Sequence, residues 1–227
     1  ILVTRTGSKL HGLKEKLEKT YGVDVEIYSA DLSVKEERQK LFDYTTSNHM
    51  IVENLINNAG FGNADAYLDT PWELHKNMVD INVVALMHLS HLYGNEMKKR
   101  RKGRILNVAS VAAFSAGPYM SVYYASKAFV FSLSQAMYEE LKGYGVSVTA
   151  LCPGPTGTNF ENTAGLTNSK MFKVFGVEKA DSVVKRGYKG MMRGKAIVYH
   201  SKVTYGFNII TRLVSRKCAR NIAGRIN

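Results

Sequence analysis

Short apolar runs alternate with helix-length amphipathic stretches along most of this chain, and that alternation decides the fold class. The runs are Ile1–Thr4, Val23–Tyr28, Ile51–Asn57, Gly103–Ala109, Val146–Leu151 and Ala196–Tyr199. They have strand length and are rich in Val, Ile and Leu. Helices are predicted between them at about Ser8–Tyr21, Ser33–Ser47, Thr70–Lys98, Tyr119–Lys142 and Glu178–Met192. Ser33 with Glu36 reads as a capping box. Thr70-Pro71-Trp72-Glu73 reads as a cap, a proline at the first helical position and an acid at the third. Strand and helix in repetition predict a doubly wound parallel α/β sheet with helices on both faces. At 227 residues, a single domain over 1–227 is expected.

One stretch combines structure with chemistry. Ile105, Leu106, Val108 and Ala109 form a buried strand that ends at Ser110. A helix follows, on which Tyr123 and Lys127, four residues apart, share a face. A free tyrosine, with a pKa of about 10, is too weakly acidic to exchange protons near neutrality. A neighbouring ammonium is expected to favour the phenolate and lower that value. Tyr123 then becomes a candidate general acid/base, with the Ser110 hydroxyl holding a reacting carbonyl or alcohol oxygen. Tyr-x-x-x-Lys alone is weak evidence, because Tyr138 and Lys142 form a second copy. No apolar strand ending in serine precedes that copy, so it reads as surface.

Composition excludes more than it selects. Apolar residues make up 45% and charged residues 22%, which are globular values. No apolar run approaches the roughly 18 residues of a membrane span, and no secretory signal is visible, so a reducing, cytoplasmic setting is expected. Cys152 and Cys218 have neither metal nor redox spacing. His88 and His91 can share a helix face with no third ligand in register, so no metal is expected. The run Lys98-Lys99-Arg100-Arg101-Lys102 reads as a solvated face, and no base-reading or stacking groups accompany it to suggest nucleic acid. The net charge of +12 lies entirely in residues 170–227, which hold 14 Lys/Arg against two acids.

Several motifs, in order, carry a resemblance. Asp31-Leu32, Asn57-Asn58-Ala59-Gly60, Ile81-Asn82-Val83, Ser110 with Tyr123 and Lys127, and Pro153-Gly154 through Thr158 together resemble the short-chain dehydrogenase/reductase family. The resemblance implies a Rossmann-like three-layer fold and an NADP(H)-dependent oxidoreductase acting on a carbonyl or alcohol. Asn82, Ser110, Tyr123 and Lys127 would be the catalytic set, with Asn82 holding a water behind the lysine. On the cofactor side, Arg5 follows the second family strand, where an acid suits NAD and an arginine the 2′-phosphate of NADP; NADP(H) is therefore expected over NAD(H). Asp31 and Leu32 would contact adenine. Asn58 would steady the central strand, and Ala59 and Gly60 would lie along the adenosine ribose. Pro153, Gly154, Thr156 and Thr158 would cover the nicotinamide, with Tyr123 and Lys127 beside its ribose. A homodimer or homotetramer is implied.

The family's opening strand and glycine-rich turn do not occur in this sequence. Thr6-Gly7 with Gly12 has the wrong spacing for that turn. By the family layout Ile1 lies in the second strand, so the first β–α unit is missing and the sheet should be divided. This absence also supports the alternative of a catalytically silent NADP(H)-binding or scaffold protein. Phe160, Leu166, Met171, Phe172, Val174 and Phe175 suggest an apolar lid and a hydrophobic substrate. In the tail, Ile210, Val214, Cys218, Ile222 and Ile226 recur every fourth residue among Arg212, Arg216, Lys217, Arg220 and Arg225. That pattern fits a helix packing its apolar stripe on a pocket or subunit, or a basic amphipathic helix on a membrane surface.

Overall fold

The computed structural model describes residues 1–158, 160, 164 and 176–226, and its chain divides into two compact units, 1–51 and 52–227. Leu166, Met171, Phe172, Val174 and Phe175 of the expected lid lie outside the described residues.

In the first unit, β1 (Leu2–Thr4) and β2 (Ile27–Ser29) pair in parallel, with Leu2 opposite Ile27 and Thr4 opposite Ser29. Helix α1 (His11–Tyr21) joins them and ends at Gly22, whose φ of 62° supplies the left-handed cap. Helix α2 (Lys35–Ser47) follows. The expected capping box does not form. Ser33 instead donates its hydroxyl to Asp31 Oδ1 at 2.7 Å, and the helix starts without a side-chain cap.

In the second unit, β3 (Asn54–Asn57), β4 (Gly103–Val108), β5 (Val146–Cys152) and β8 (Ile197–Tyr199) form a separate four-stranded sheet in that order, parallel throughout. The sheet is thus divided, two strands in one unit and four in the other. Between β5 and β8 along the chain come β6 (Thr156–Gly157) and β7 (Glu178–Lys179), which form a separate short parallel pair. The helices are α3 (Trp72–Val79), α4 (Leu86–Arg100), α5 (Ser121–Lys142), α6 (Ala180–Met192), α7 (Lys202–Leu213) and α8 (Arg216–Ile226).

Alternation along the strands assigns the two faces of this sheet. Ala150 and Cys152 of β5 pack with Leu86, Val130 and Phe131 of α4 and α5. Leu151, between them, packs with Val183 and Met191 of α6 on the other face. Both faces are covered, which is why β4 and β5 read as near-continuous apolar runs. The α5–β5 turn depends on Gly145: its φ is 69°, and a Cβ there would meet the Arg101 carbonyl oxygen at 2.3 Å.

Three more local expectations fail. Thr70 does not cap α3; it is buried and donates its hydroxyl to Ala66 O at 3.1 Å, leaving Pro71 at the cap position. The helix expected over Thr70–Lys98 is interrupted by a π-helical turn at Asp80–Ala85, between α3 and α4. The tail likewise breaks at Val214, whose ψ of 157° is extended, so its period-four stripe falls on two helices.

Candidate active site

A cavity of about 480 Å³ opens beyond the carboxyl ends of β3, β4 and β5, the usual place for a ligand in an open parallel sheet. It gathers Asn58, Gly60, Ser110, Tyr123, Lys127, Pro153, Gly154, Thr156 and Thr158 from the residues the sequence singles out.

Ser110 ends β4 in extended backbone and caps a 3-10 turn, its hydroxyl accepting from Ala112 N at 3.1 Å. Tyr123 lies in the first turn of α5, 9% exposed, and Ser110 hydrogen-bonds its hydroxyl. Lys127, one turn on and 6% exposed, donates Nζ to Val108 O at 2.8 Å. Its Nζ is 5.7 Å from the Tyr123 ring centre.

The electrostatics overturn one expectation. The tyrosine pKa is raised here, not lowered. Burial dominates and pushes Tyr123 up to about 12, against a smaller opposing pull from the Ser110 hydrogen bond. Burial also brings Lys127 down to about 8. The site therefore holds a protonated tyrosine beside a lysine close to losing its charge. Cys152, fully buried at the end of β5, is a neutral thiol, raised to about 12 by desolvation.

Asn82 sits in the π-helical turn and is 1% exposed. Its Oδ1 accepts from Phe61 N at 3.0 Å, and its Nδ2 donates to Phe61 O at 2.9 Å and to Ser126 Oγ at 3.1 Å. The side chain thus clamps the loop after β3. A Cβ on Gly60 would stand 2.9 Å from Asn82 Oδ1, so glycine lets that loop pass close to the Asn82 side chain, with Lys127 Nζ just beyond at 3.5 Å.

The strand-steadying asparagine is Asn57, not Asn58. Asn57 Nδ2 donates to Asn107 Oδ1 and Ser90 Oγ, both at 2.9 Å, and Asn107 Nδ2 donates to Ser134 Oγ at 2.9 Å. This buried polar chain ties β3 and β4 to α4 and α5. Asn58 is exposed on the cavity wall, and Ala59 is exposed outside it. Strand register separates the neighbours: Asn57 is the last paired residue of β3, and Asn58 lies beyond it.

Thr156 donates its hydroxyl to Gly154 O at 3.0 Å, and Thr158 to Thr156 O at 3.3 Å. Thr156 also pairs with Glu178 across β6 and β7. Glu178 Oε1 lies 3.1 Å from Nδ1 of buried His200, an electrostatic contact without hydrogen-bond alignment. No sequence motif marks this anchor. The remaining cavity lining is apolar, with Phe61, Val111, Tyr124 and Phe160; the Tyr123 and Phe160 rings are 5.3 Å apart.

Arg5, Asp31 and Leu32 belong to the first unit. Arg5 is exposed directly after β1, and Asp31 follows β2. The Ser33 hydroxyl, then the Ser33 amide, hold Asp31 below its ordinary value, and Arg5 adds a weaker attraction. Among the described residues no group of three His, Cys, Asp or Glu side chains forms a metal site, and no helix is long and apolar enough to cross a membrane.

A short chain dehydrogenase model matches residues 1–168. The chain is 30% identical over 158 residues to a 7beta-hydroxysteroid dehydrogenase of Collinsella aerofaciens, covering 70% of this chain and 59% of that protein. It is 31% identical over 194 residues to 17-beta-hydroxysteroid dehydrogenase type 3 of Mus musculus, covering 83% of this chain and 59% of that protein. The chain thus spans about three fifths of the length of these relatives. Its fold superposes with a TM-score of 0.82 on a short-chain dehydrogenase from Sphingobium yanoikuyae in complex with NADPH, at 27% identity, covering 93% of this chain and 83% of that one.

Proposed function

This chain belongs to the short-chain dehydrogenase family, and from that premise we propose that it moves hydride between NADP(H) and the carbonyl or alcohol carbon of a hydrophobic substrate, with Tyr123 as general acid/base. The observation that carries this reading is the single cavity that gathers Ser110, Tyr123 and Lys127 with Thr156 and Thr158.

The residues present fit the nicotinamide end of the cofactor. Lys127 uses one of its three donors on Val108 O, leaving two for ribose hydroxyls. Gly60 keeps the approach to that ammonium open. When bound, NADPH supplies the hydride. Tyr123, protonated through the neutral range, gives its proton to the oxygen of the reduced carbonyl. The Ser110 hydroxyl holds that oxygen in line, and Lys127, while charged, stabilises the tyrosinate left behind. Phe61 and Phe160 add apolar surface beside Tyr123, with the Tyr123 and Phe160 rings 5.3 Å apart. Asn82 acts through the Phe61 backbone, as a positioning residue.

Arg5 is our candidate for reading the 2′-phosphate, which favours NADP(H) over NAD(H), with Asp31 and Leu32 on the adenine. A homodimer or homotetramer is the expected assembly. The apolar lining, together with two relatives named as hydroxysteroid dehydrogenases, makes a steroid-sized ketone the first substrate to try.

The test is ketone-dependent NADPH oxidation by the wild type and by Tyr123→Phe, with NADPH and NADH titrated by fluorescence. Tight NADPH binding, weaker NADH binding, and turnover lost in Tyr123→Phe with binding kept are expected. NADPH bound without turnover of any ketone would contradict an enzymatic role.

A further inference from the structure

The last two helices leave large aliphatic side chains in solvent. α7 buries Thr204 and Asn208, which satisfy themselves on Ser201 O at 2.8 Å and the Tyr199 hydroxyl at 2.7 Å. It exposes Val203, Ile209, Ile210 and Leu213, the last 81% exposed. α8 packs through small residues: Ala219 and Ala223 are buried, and Gly224 lies against Pro118. Cys218 and Ile222, which the sequence pattern would put inside, are exposed. A helix in a soluble domain turns its apolar stripe toward the core. On α7 Phe207 packs against the core, while Val203, Ile209, Ile210 and Leu213 stand exposed, and exposed apolar surface of this kind marks an interaction site.

The charge around it has one sign. Residues 202–227 hold six Lys/Arg and no acid. Arg212, Arg216, Lys217 and Arg220 are exposed. At the start of α7 a second groove, also about 480 Å³, is lined by Arg186, Lys189, Arg193, Lys195, Lys202 and Tyr205, among others. Among the described residues, no acid pairs with Lys189, Arg193, Lys195 or Lys202. Lys202 and Tyr205 of this groove lie on α7, the helix that carries the exposed aliphatic side chains.

We propose that this end of the molecule docks on an anionic lipid surface. Val203, Ile210 and Leu213 enter the acyl boundary while the basic groove and the arginines of α8 receive the headgroups. Exposed aliphatics flanked by cations are the composition of an interfacial helix. A second copy fits less well, because a two-fold contact through this face sets like charges against one another. A nucleic acid supplies the charge but no partner for the aliphatic side chains.

Flotation of the full chain with phosphatidylcholine vesicles, alone or containing phosphatidylserine, tests this at low and physiological salt. Flotation with the phosphatidylserine vesicles only, weakened by salt, is expected. Ile210→Asp with Leu213→Asp should weaken it by about tenfold or more. Lys189→Glu with Arg193→Glu should do the same, since cations at the surface draw the chain to anionic headgroups. All four side chains lie outside the apolar core, and a thermal melt matching the wild type checks folding. No flotation, equal flotation with both vesicles, or variants that float like the wild type would overturn the proposal. So would a wild type that ignores vesicles but is a dimer that Leu213→Asp dissociates, or one that shifts an RNA without binding lipid.

Discussion

Helix α5 carries the Tyr-x-x-x-Lys spacing twice, at Tyr123 with Lys127 and at Tyr138 with Lys142, and the two ends behave in opposite ways. Lys142 is exposed and ion-paired to Glu139, which raises its pKa. Lys127 is buried with no carboxylate partner among the described residues, and desolvation brings it down to about 8. Tyr138 is half-buried, while Tyr123 faces a cavity and is held protonated. Sequence spacing puts both pairs on one turn of helix. What separates them is the strand end before α5, where Ser110 and Val108 O close over the first pair and nothing equivalent covers the second.

The largest effect that sharpens this comparison is on turnover. Tyr123→Phe should reduce ketone-dependent NADPH oxidation by about 10²–10⁴-fold, the usual contribution of a positioned proton donor. Tyr138→Phe should leave it unchanged. Equal losses in steady-state assays would erase the distinction between the two pairs.

Stability should separate the lysines in the reverse sense. Moving Lys127 from 10.5 to about 8 corresponds to roughly 3 kcal/mol of desolvation at neutral pH, offset by about 1 kcal/mol for the hydrogen bond to Val108. Lys127→Met should therefore abolish turnover yet stabilise the chain by roughly 2 kcal/mol at pH 7 in denaturant unfolding. Lys142→Met should leave the midpoint where it is.

That gain depends on pH with a definite sign. Between about 8 and 10.5 the unfolded chain keeps the Lys127 proton and the folded chain has released it. Wild-type stability therefore rises with pH across this window, and the advantage of Lys127→Met shrinks to nothing. A constant difference between the two proteins from pH 7 to 10 would place the lysine in solvent. In kinetics, kcat/KM for reduction should fall as pH rises through about 8; a flat profile there would remove the lysine charge from the mechanism.

The same contrast between spacing and burial explains what the sequence could reveal. β4 and α5 were legible because Ile105 and Leu106 are buried, and Ser121–Lys142 runs 22 residues without a breaker. Ser110, Tyr123 and Lys127 were legible as a group because strand end and helix start fix their separation. The choice between Asn57 and Asn58 was not, since the residues are identical and only strand register turns one of them inward. Ser33 and Thr70 looked like caps, but each hydroxyl found a nearer acceptor, Asp31 and Ala66. The tail misled for a different reason: its period of four is real, but Ala219 and Ala223 occupy the buried face instead of Cys218 and Ile222.

The most direct test is NMR titration of the lysine side chains, following the ε-carbon resonances of Lys127 and Lys142 in the folded protein without cofactor. The account predicts that Lys127 titrates near 8 while Lys142 titrates above the ordinary lysine value. Two lysines titrating together in the ordinary range would show that α5 has no buried ammonium, and the assignment of its first turn to proton transfer would fail.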